Sequence, residues 1–113
     1  MNTIKTYIAQ TDIARNTIVK FGADEDHVTP ATAGTDNAIG VTLEKDVKAL
    51  ERVDVNHLGL NEVKFGGTVA AGESITANAD GQAVKAEDGN VVIGYALRAA
   101  AKDDIALAII CRK

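Results

Sequence analysis

A chain of 113 residues with a formal net charge of −4 is sized for one domain. Its twelve Lys and Arg residues are dispersed, which excludes a general nucleic-acid partner, because neutralising phosphates takes clustered cations. The longest unbroken apolar run, Ile105 to Cys111, is far short of the ~20 residues that cross a bilayer, and the N-terminus lacks a signal-peptide pattern, so no membrane partner and synthesis in the cytoplasm are expected.

Strands are predicted in chain order at Thr3 to Gln10, Thr17 to Phe21, His27 to Ala31, Ala38 to Leu43 and Glu51 to His57. They continue at Glu62 to Phe65, Ser74 to Asn78, Gln82 to Ala86, Val91 to Leu97 and Asp104 to Arg112. Each is short and rich in β-branched residues with local alternation. Gly22 to Asp26, Ala33 to Asn37, Leu58 to Asn61, Ala79 to Gly81 and Glu87 to Asn90 supply the Gly, Asp and Asn of turns. Two helix candidates, Glu44 to Leu50 and Arg98 to Lys102, are too short to stand alone and are expected to be a single turn or a loop. The fold class expected is all-β, a compact sandwich or barrel with at most short helical turns.

The chain reads as one β unit written twice. Ile39-Gly40-Val41-Thr42-Leu43 and Ile93-Gly94-Tyr95-Ala96-Leu97 match, each followed by a charged stretch and an alternating strand, Arg52 to Val55 and Asp104 to Leu107. Upstream, Ala14 to Ile18 matches Ala71 to Ile75, and Val28 to Ala31 matches Val84 to Ala86. This gives half repeats 14–57 and 71–113 within a domain of 13–113, behind an N-terminal arm or strand of 1–12. Phe21 and Phe65 end matching Val-Lys-Phe-Gly strings and are expected at equivalent core positions. With no Trp and only Tyr7, Phe21, Phe65 and Tyr95 as aromatics, the core falls to Ala, Val, Ile and Leu. Each fully buried Val, Leu or Ile contributes roughly 1.5–3 kcal/mol, so oligomerisation has room to add stability.

No catalytic constellation stands out. His27 and His57 have no second His or Cys at ligand spacing, and Cys111 is alone in an alternating run, where a small buried hydrophobe is expected. Asp24-Glu25-Asp26 lacks the spacing of a calcium loop. Ser74 is the one serine; it lies in a predicted strand beside Glu73, and neighbours on a strand face opposite ways. Neither a P-loop nor a dinucleotide fingerprint accompanies the glycines. The reading is a non-enzyme with no cofactor and no metal.

The run from Ala38-Ile39-Gly40 through Val63-Lys64-Phe65-Gly66-Gly67, Ala71-Gly72-Glu73-Ser74-Ile75-Thr76 and Asp80-Gly81 to Ile93-Gly94-Tyr95-Ala96-Leu97 resembles the capsid decoration, or cement, proteins of tailed bacteriophages, the lambda head decoration protein type. The resemblance covers about residues 37–112 and implies a β-clip or β-tulip architecture. It further implies a homotrimer on the outer surface of the virion, bound to the major capsid protein and stabilising the shell. A ligand- or carbohydrate-binding β-clip module and another phage tail or fibre component are the alternatives. In decoration proteins an N-terminal arm reaches onto the capsid, and Thr3, Ile4, Lys5, Thr6, Tyr7 and Ile8 are the partner-binding candidates here. As an arm outside the domain, the segment is expected to be removable with the fold intact.

Overall fold

The computed structural model describes residues 2–111; Met1 of the 1–12 segment, Arg112 of the last predicted strand and Lys113 lie outside them. Among the described residues there are nine strands and no helix. They are β1 (Thr3–Ala9), β2 (Ile18–Phe21), β3 (His27–Pro30), β4 (Ala38–Thr42), β5 (Arg52–Lys64), β6 (Ser74–Ala77), β7 (Ala83–Lys85), β8 (Gly94–Ala96) and β9 (Ile105–Cys111). The class is all-β. Strand order is β1-β3-β2-β4-β5-β9-β8-β6-β7, and a further β1–β5 pairing closes the first five into a barrel. The second half of β5 joins β9, β8, β6 and β7, and a parallel bridge from Phe65 to Ala83 returns β7 to the end of β5. Closure removes most of the free edge that would otherwise template aggregation.

Two short predicted strands are thus one long strand. Leu58 to Asn61 was expected to break the chain, yet these residues stay extended because both barrels pair with them: Leu58 is opposite Thr3 and Cys111, and Gly59, Leu60 and Asn61 continue opposite Ile110, Ile109 and Ala108. Gly59, at φ 111°, absorbs the change of direction between barrels in a region that side chains avoid. The helix candidates are loops, as expected, each holding one isolated bridge ahead of a turn at Ala49–Leu50 or Lys102–Asp103. Val47 exchanges two backbone bonds of 2.9 Å with Ile13, and Ala100 exchanges two of 2.9 Å with Val69.

The barrels share one order and one register. β1, β2, β3, β4 and the first half of β5 correspond to the second half of β5, β6, β7, β8 and β9. Tyr7 opposes Val53 as Val63 opposes Ala106, and Val19 opposes Pro30 as Ile75 opposes Lys85. Ile18 opposes Val41 as Ser74 opposes Tyr95, and Val41 opposes Asn56 as Tyr95 opposes Ile109. The turns correspond as well: Leu50 (φ 72°) and Asp103 (φ 74°) both take the left-handed conformation. Beside them Glu51 Oε1 accepts Lys48 N at 2.7 Å, and Asp104 Oδ2 accepts Ala101 N at 2.9 Å.

These registers correct several expectations. The unit boundaries 14–57 and 71–113 each omit a barrel strand, β1 in one case and the second half of β5 in the other. Of the arm and the strand expected at 1–12, the described residues form the strand, and it belongs to the domain: β1 pairs with β5 from Thr3 to Ile8 and with β3 at Ile8 and Ala9, and it sends Tyr7 and Ala9 into the core. Its removal would open the first barrel. The two phenylalanines are not equivalent either. Phe65 follows β5, bridges to Ala83 and is fully buried, whereas Phe21 ends β2, corresponds to Ala77, and is 45% exposed.

Tyr7, Ala9, Ile13, Val19, Val28, Val47, Val53 and Val55 fill the first barrel. The second core is larger, because Phe65, Ile75, Ile93, Ala108 and Ile110 are joined by Ile18, Ala31, Ala38 and Val41 from the first barrel's outer face. That face caps the second barrel's mouth. Polar contacts stitch the seam: Ile18 N donates to Gly81 O at 2.8 Å, Val91 N to Gly34 O at 2.7 Å, and Lys64 N to Asn16 O at 3.0 Å. Asn16 Nδ2 donates to Glu62 O at 3.0 Å and Asn61 Nδ2 to Thr42 O at 3.2 Å. Gly81 (φ 71°) fits so closely that an added Cβ would lie 2.8 Å from the Thr17 methyl and 2.9 Å from Ile18 O.

Candidate partner-binding surface

Alternation along β1 divides the six candidate residues. Thr3, Lys5 and Tyr7 lie on the side that Ala9 buries, and Ile4, Thr6 and Ile8 lie on the other. Tyr7 is 5% exposed and belongs to the core. Its ring meets Phe21 edge-on at 6.0 Å and His57 at 5.6 Å, and Lys5 Nζ sits 5.1 Å from its centroid. His57 Nδ1 is 2.8 Å from Ile39 O. A carbonyl only accepts, so Nδ1 carries the proton; in neutral imidazole Nε2 then accepts the Tyr7 hydroxyl at 2.7 Å. Burial pushes the Tyr7 pKa up, keeping the hydroxyl a donor.

Thr6 is exposed but tied across the strand, its Oγ1 donating to Asp54 Oδ1 at 2.6 Å. Ile8 is half-buried beside β3. Thr3, Ile4 and Lys5 are exposed. Ile4 (47%) has two exposed aliphatic companions, Leu58 (49%) and Leu60 (46%). Thr3 faces Leu58 across the strands, and Asn2 Oδ1 accepts Leu60 N at 3.0 Å, so the start of β1 and the kink of β5 share one edge of the molecule. Leu58 and Leu60 escaped the sequence reading because they sit in a segment taken for a turn. Two apolar residues flanking one glycine were the signal.

The other candidates have local duties. His27 Nδ1 lies 2.7 Å from Asp24 Oδ1, which also accepts Asp26 N at 3.0 Å. The bonds from His27 and Asp26 hold the Asp24 carboxyl below its ordinary range, as in a self-capped turn. Asn78 Oδ1 accepts Asp80 N at 2.9 Å and Gln82 N at 3.0 Å in the Ala79 to Gly81 turn between β6 and β7. Ser74 lies in β6, and Cys111 ends β9, half-buried opposite Leu58. Among the described residues no group of three or more His, Cys, Asp or Glu is placed to hold a metal ion.

A closed β scaffold displaying an apolar edge is suited to gripping another protein surface. The family described as phage cement protein matches residues 1–111. The chain belongs to the phage cement proteins. The match takes in β1, which the resemblance over residues 37–112 had left out. No curated protein matches. Among solved structures, the N base of head fiber gp8.5 in bacteriophage phi29 is similar in fold, with a TM-score of 0.78 and 24% identity, covering 98% of this chain and 95% of that one. This cement protein is a structural component of the phage head, in a family whose role is structural.

Proposed function

We propose that this cement protein binds the outer surface of the assembled head as a homotrimer, contacts the major capsid protein, and stabilises the shell without catalysis. The family match over the whole described chain carries the reading. The edge around Ile4, Leu58 and Leu60 supplies the capsid contact, with Thr3 and Lys5 at its rim. Three exposed aliphatics on a rigid, paired backbone lose little conformational freedom on docking. A trimer presents the edge three times, and effective concentration turns weak contacts into stable occupancy. Tyr7 supports that edge from within the barrel, and Thr6 and Ile8 from the outer side of β1.

The test is cryo-electron microscopy of undecorated heads incubated with the protein, alongside Ile4→Asp and Leu60→Asp variants. Wild type should appear on the outer surface, and each variant should lose at least about tenfold in occupancy, the effect of ~1.4 kcal/mol. Undiminished binding by both variants removes the edge from the reading. Failure of the wild type to bind any head removes surface decoration. Similarity in fold to a head-fibre base favours a second reading, the base of a longer projection. Density extending outward from each bound copy would distinguish it.

A further inference from the structure

The seam between the barrels is asymmetric. The first barrel contributes its outer face, Ile18, Ala31, Ala38 and Val41, and the second contributes its mouth, where Ala77 and Asn61 are buried. Since the barrels share one register, each of these surfaces has a counterpart that the seam does not use. The outer face recurs on the second barrel as Ser74, Ala86, Val92 and Tyr95, half-buried or exposed. The mouth recurs on the first barrel as Phe21 in place of Ala77 and Lys5 in place of Asn61, both exposed.

We propose that these two open surfaces are one self-association interface, in which the Ser74–Tyr95 face of one copy docks on the Phe21–Lys5 mouth of the next, repeating between chains the packing of the two barrels within a chain. The occupant of each surface is a second copy of this chain. Three observations support it. The backbone geometry of the contact already exists once in the molecule, in the same strands and register. Two outward residues are larger and aromatic where the internal seam has aliphatic ones, Phe21 (45% exposed) for Ala77 and Tyr95 (38% exposed) for Val41, while Ser74 is smaller than its counterpart Ile18. Aromatic anchors of this kind dominate interface energies, and they are half of the four aromatics in the chain. Finally, the mouth is prepared, because Phe21 rests edge-on against Tyr7, which is fixed by His57.

Such a contact joins unlike surfaces, so each copy offers one donor face and one acceptor face. It propagates until rotation closes it into a ring. Closure at three copies gives the homotrimer of the functional reading, on which the stoichiometry rests; the interface itself does not depend on capsid binding. The Ile4–Leu60 edge stays free in the assembly, since Leu60, the counterpart of Ile4, is 46% exposed beside the internal seam.

The test measures mass in solution by light scattering behind size exclusion, for wild type, Phe21→Asp, Tyr95→Asp and an equimolar mixture of the two variants, with circular dichroism to confirm folding. Wild type should be a closed oligomer and each variant a monomer. In the mixture, the intact mouth of Tyr95→Asp meets the intact face of Phe21→Asp once and no further, so a one-to-one dimer is expected. A monomeric wild type, an oligomer that survives either substitution, or a mixture that stays monomeric overturns the proposal. Val92→Arg and Lys5→Glu provide the same pair of lesions should an aspartate variant fail to fold. Decoration of heads by wild type is scored separately, so a monomer that still decorates refutes the interface alone.

Discussion

The two barrels solve one packing problem in opposite ways. In the first, strand β1 places its large side chain near the mouth and its small one deep, Tyr7 then Ala9; in the second, the matching stretch of β5 runs Val63 then Phe65. The difference follows from what lies above each mouth. The second barrel is capped by the first, so a dry lid lets its mouth be lined by small and aliphatic residues, and the bulk moves inward to Phe65. Among the described residues the first has no such lid, and it closes itself with Tyr7, whose apolar ring seals the interior while its hydroxyl finds His57. One register therefore supports an aliphatic barrel and an aromatic-stoppered one. We read the two as copies of a single unit that diverged as their neighbours came to differ.

The severest way to break the comparison is at a position where both barrels obey the same constraint. A Cβ on Gly40 would run into the Asn56 carbonyl, and a Cβ on Gly94 into the Ile109 carbonyl; these glycines and these carbonyls are counterparts. Backbone cannot yield as a flexible side chain can. Gly40→Val and Gly94→Val should each cost more than about 4 kcal/mol, in the exceptional range for one substitution, and leave the chain unfolded. Far-ultraviolet circular dichroism and urea titration read this out. Should one variant fold normally while the other does not, the close approach matters in only one barrel and the shared-register account is incomplete.

A smaller lesion separates the two ways of filling a barrel. Phe65→Ala empties the deep position of the second barrel, and the expected cost is about 3–5 kcal/mol, from lost burial plus the cavity left behind. Tyr7→Phe in the first barrel keeps the stopper and removes only its hydroxyl. That should cost about 1 kcal/mol, the scale of one hydrogen bond, with His57 Nε2 left facing the apolar ring. Equal costs in urea unfolding would mean that the hydrogen bond, and not the ring, holds the first mouth shut.

What the sequence made legible was set by the two-residue period of strands. The all-β class, most strand centres and the Ile39-Gly40 and Ile93-Gly94 pairing could be read from it, because each glycine is fixed by a backbone contact that no other residue satisfies. Elsewhere the match by residue type slipped one place. Ile18 looks like Ile75, yet its structural counterpart is Ser74, and Val19 corresponds to Ile75. A slip of one residue exchanges the faces of a strand, so it paired the buried seam with a barrel interior and hid the difference between them. The Phe21 and Phe65 strings misled for another reason: they lie on strands that do not correspond, since Phe21 matches Ala77 on β6 and Phe65 matches Ala9 on β1. The Ile4–Leu60 edge was half legible: alternation showed β1, but Leu58-Gly59-Leu60 has the composition of a turn, and only pairing on both sides makes it a strand.

The finest test of the comparison concerns the loops that precede β4 and β8. In the first, Asp36 Oδ2 accepts Thr32 N at 2.8 Å and Ala33 N at 3.2 Å, and Lys20 Nζ lies 3.1 Å away. In the second, Asn90 Oδ1 accepts Glu87 N at 2.8 Å in the corresponding place. The same backbone is capped once by a group that titrates and once by one that does not. The Thr32 amide and then Lys20 hold the Asp36 carboxyl below its ordinary range. A carboxylate with a depressed folded pKa contributes stability above its unfolded value, about 3.9, and loses it as pH falls through the lower folded value. Asp36→Asn copies the second loop into the first: it gives up the charge-assisted bonds near neutral pH while keeping an oxygen to accept from Thr32. Wild type should therefore melt above Asp36→Asn at pH 7, and the difference should shrink as pH is lowered below about 4, because protonated Asp and Asn then offer the loop much the same acceptor. A Tm gap that stays constant from pH 7 to pH 2 would show that the side chain acts by shape alone, and that the charge which distinguishes the first loop from the second contributes nothing to holding it.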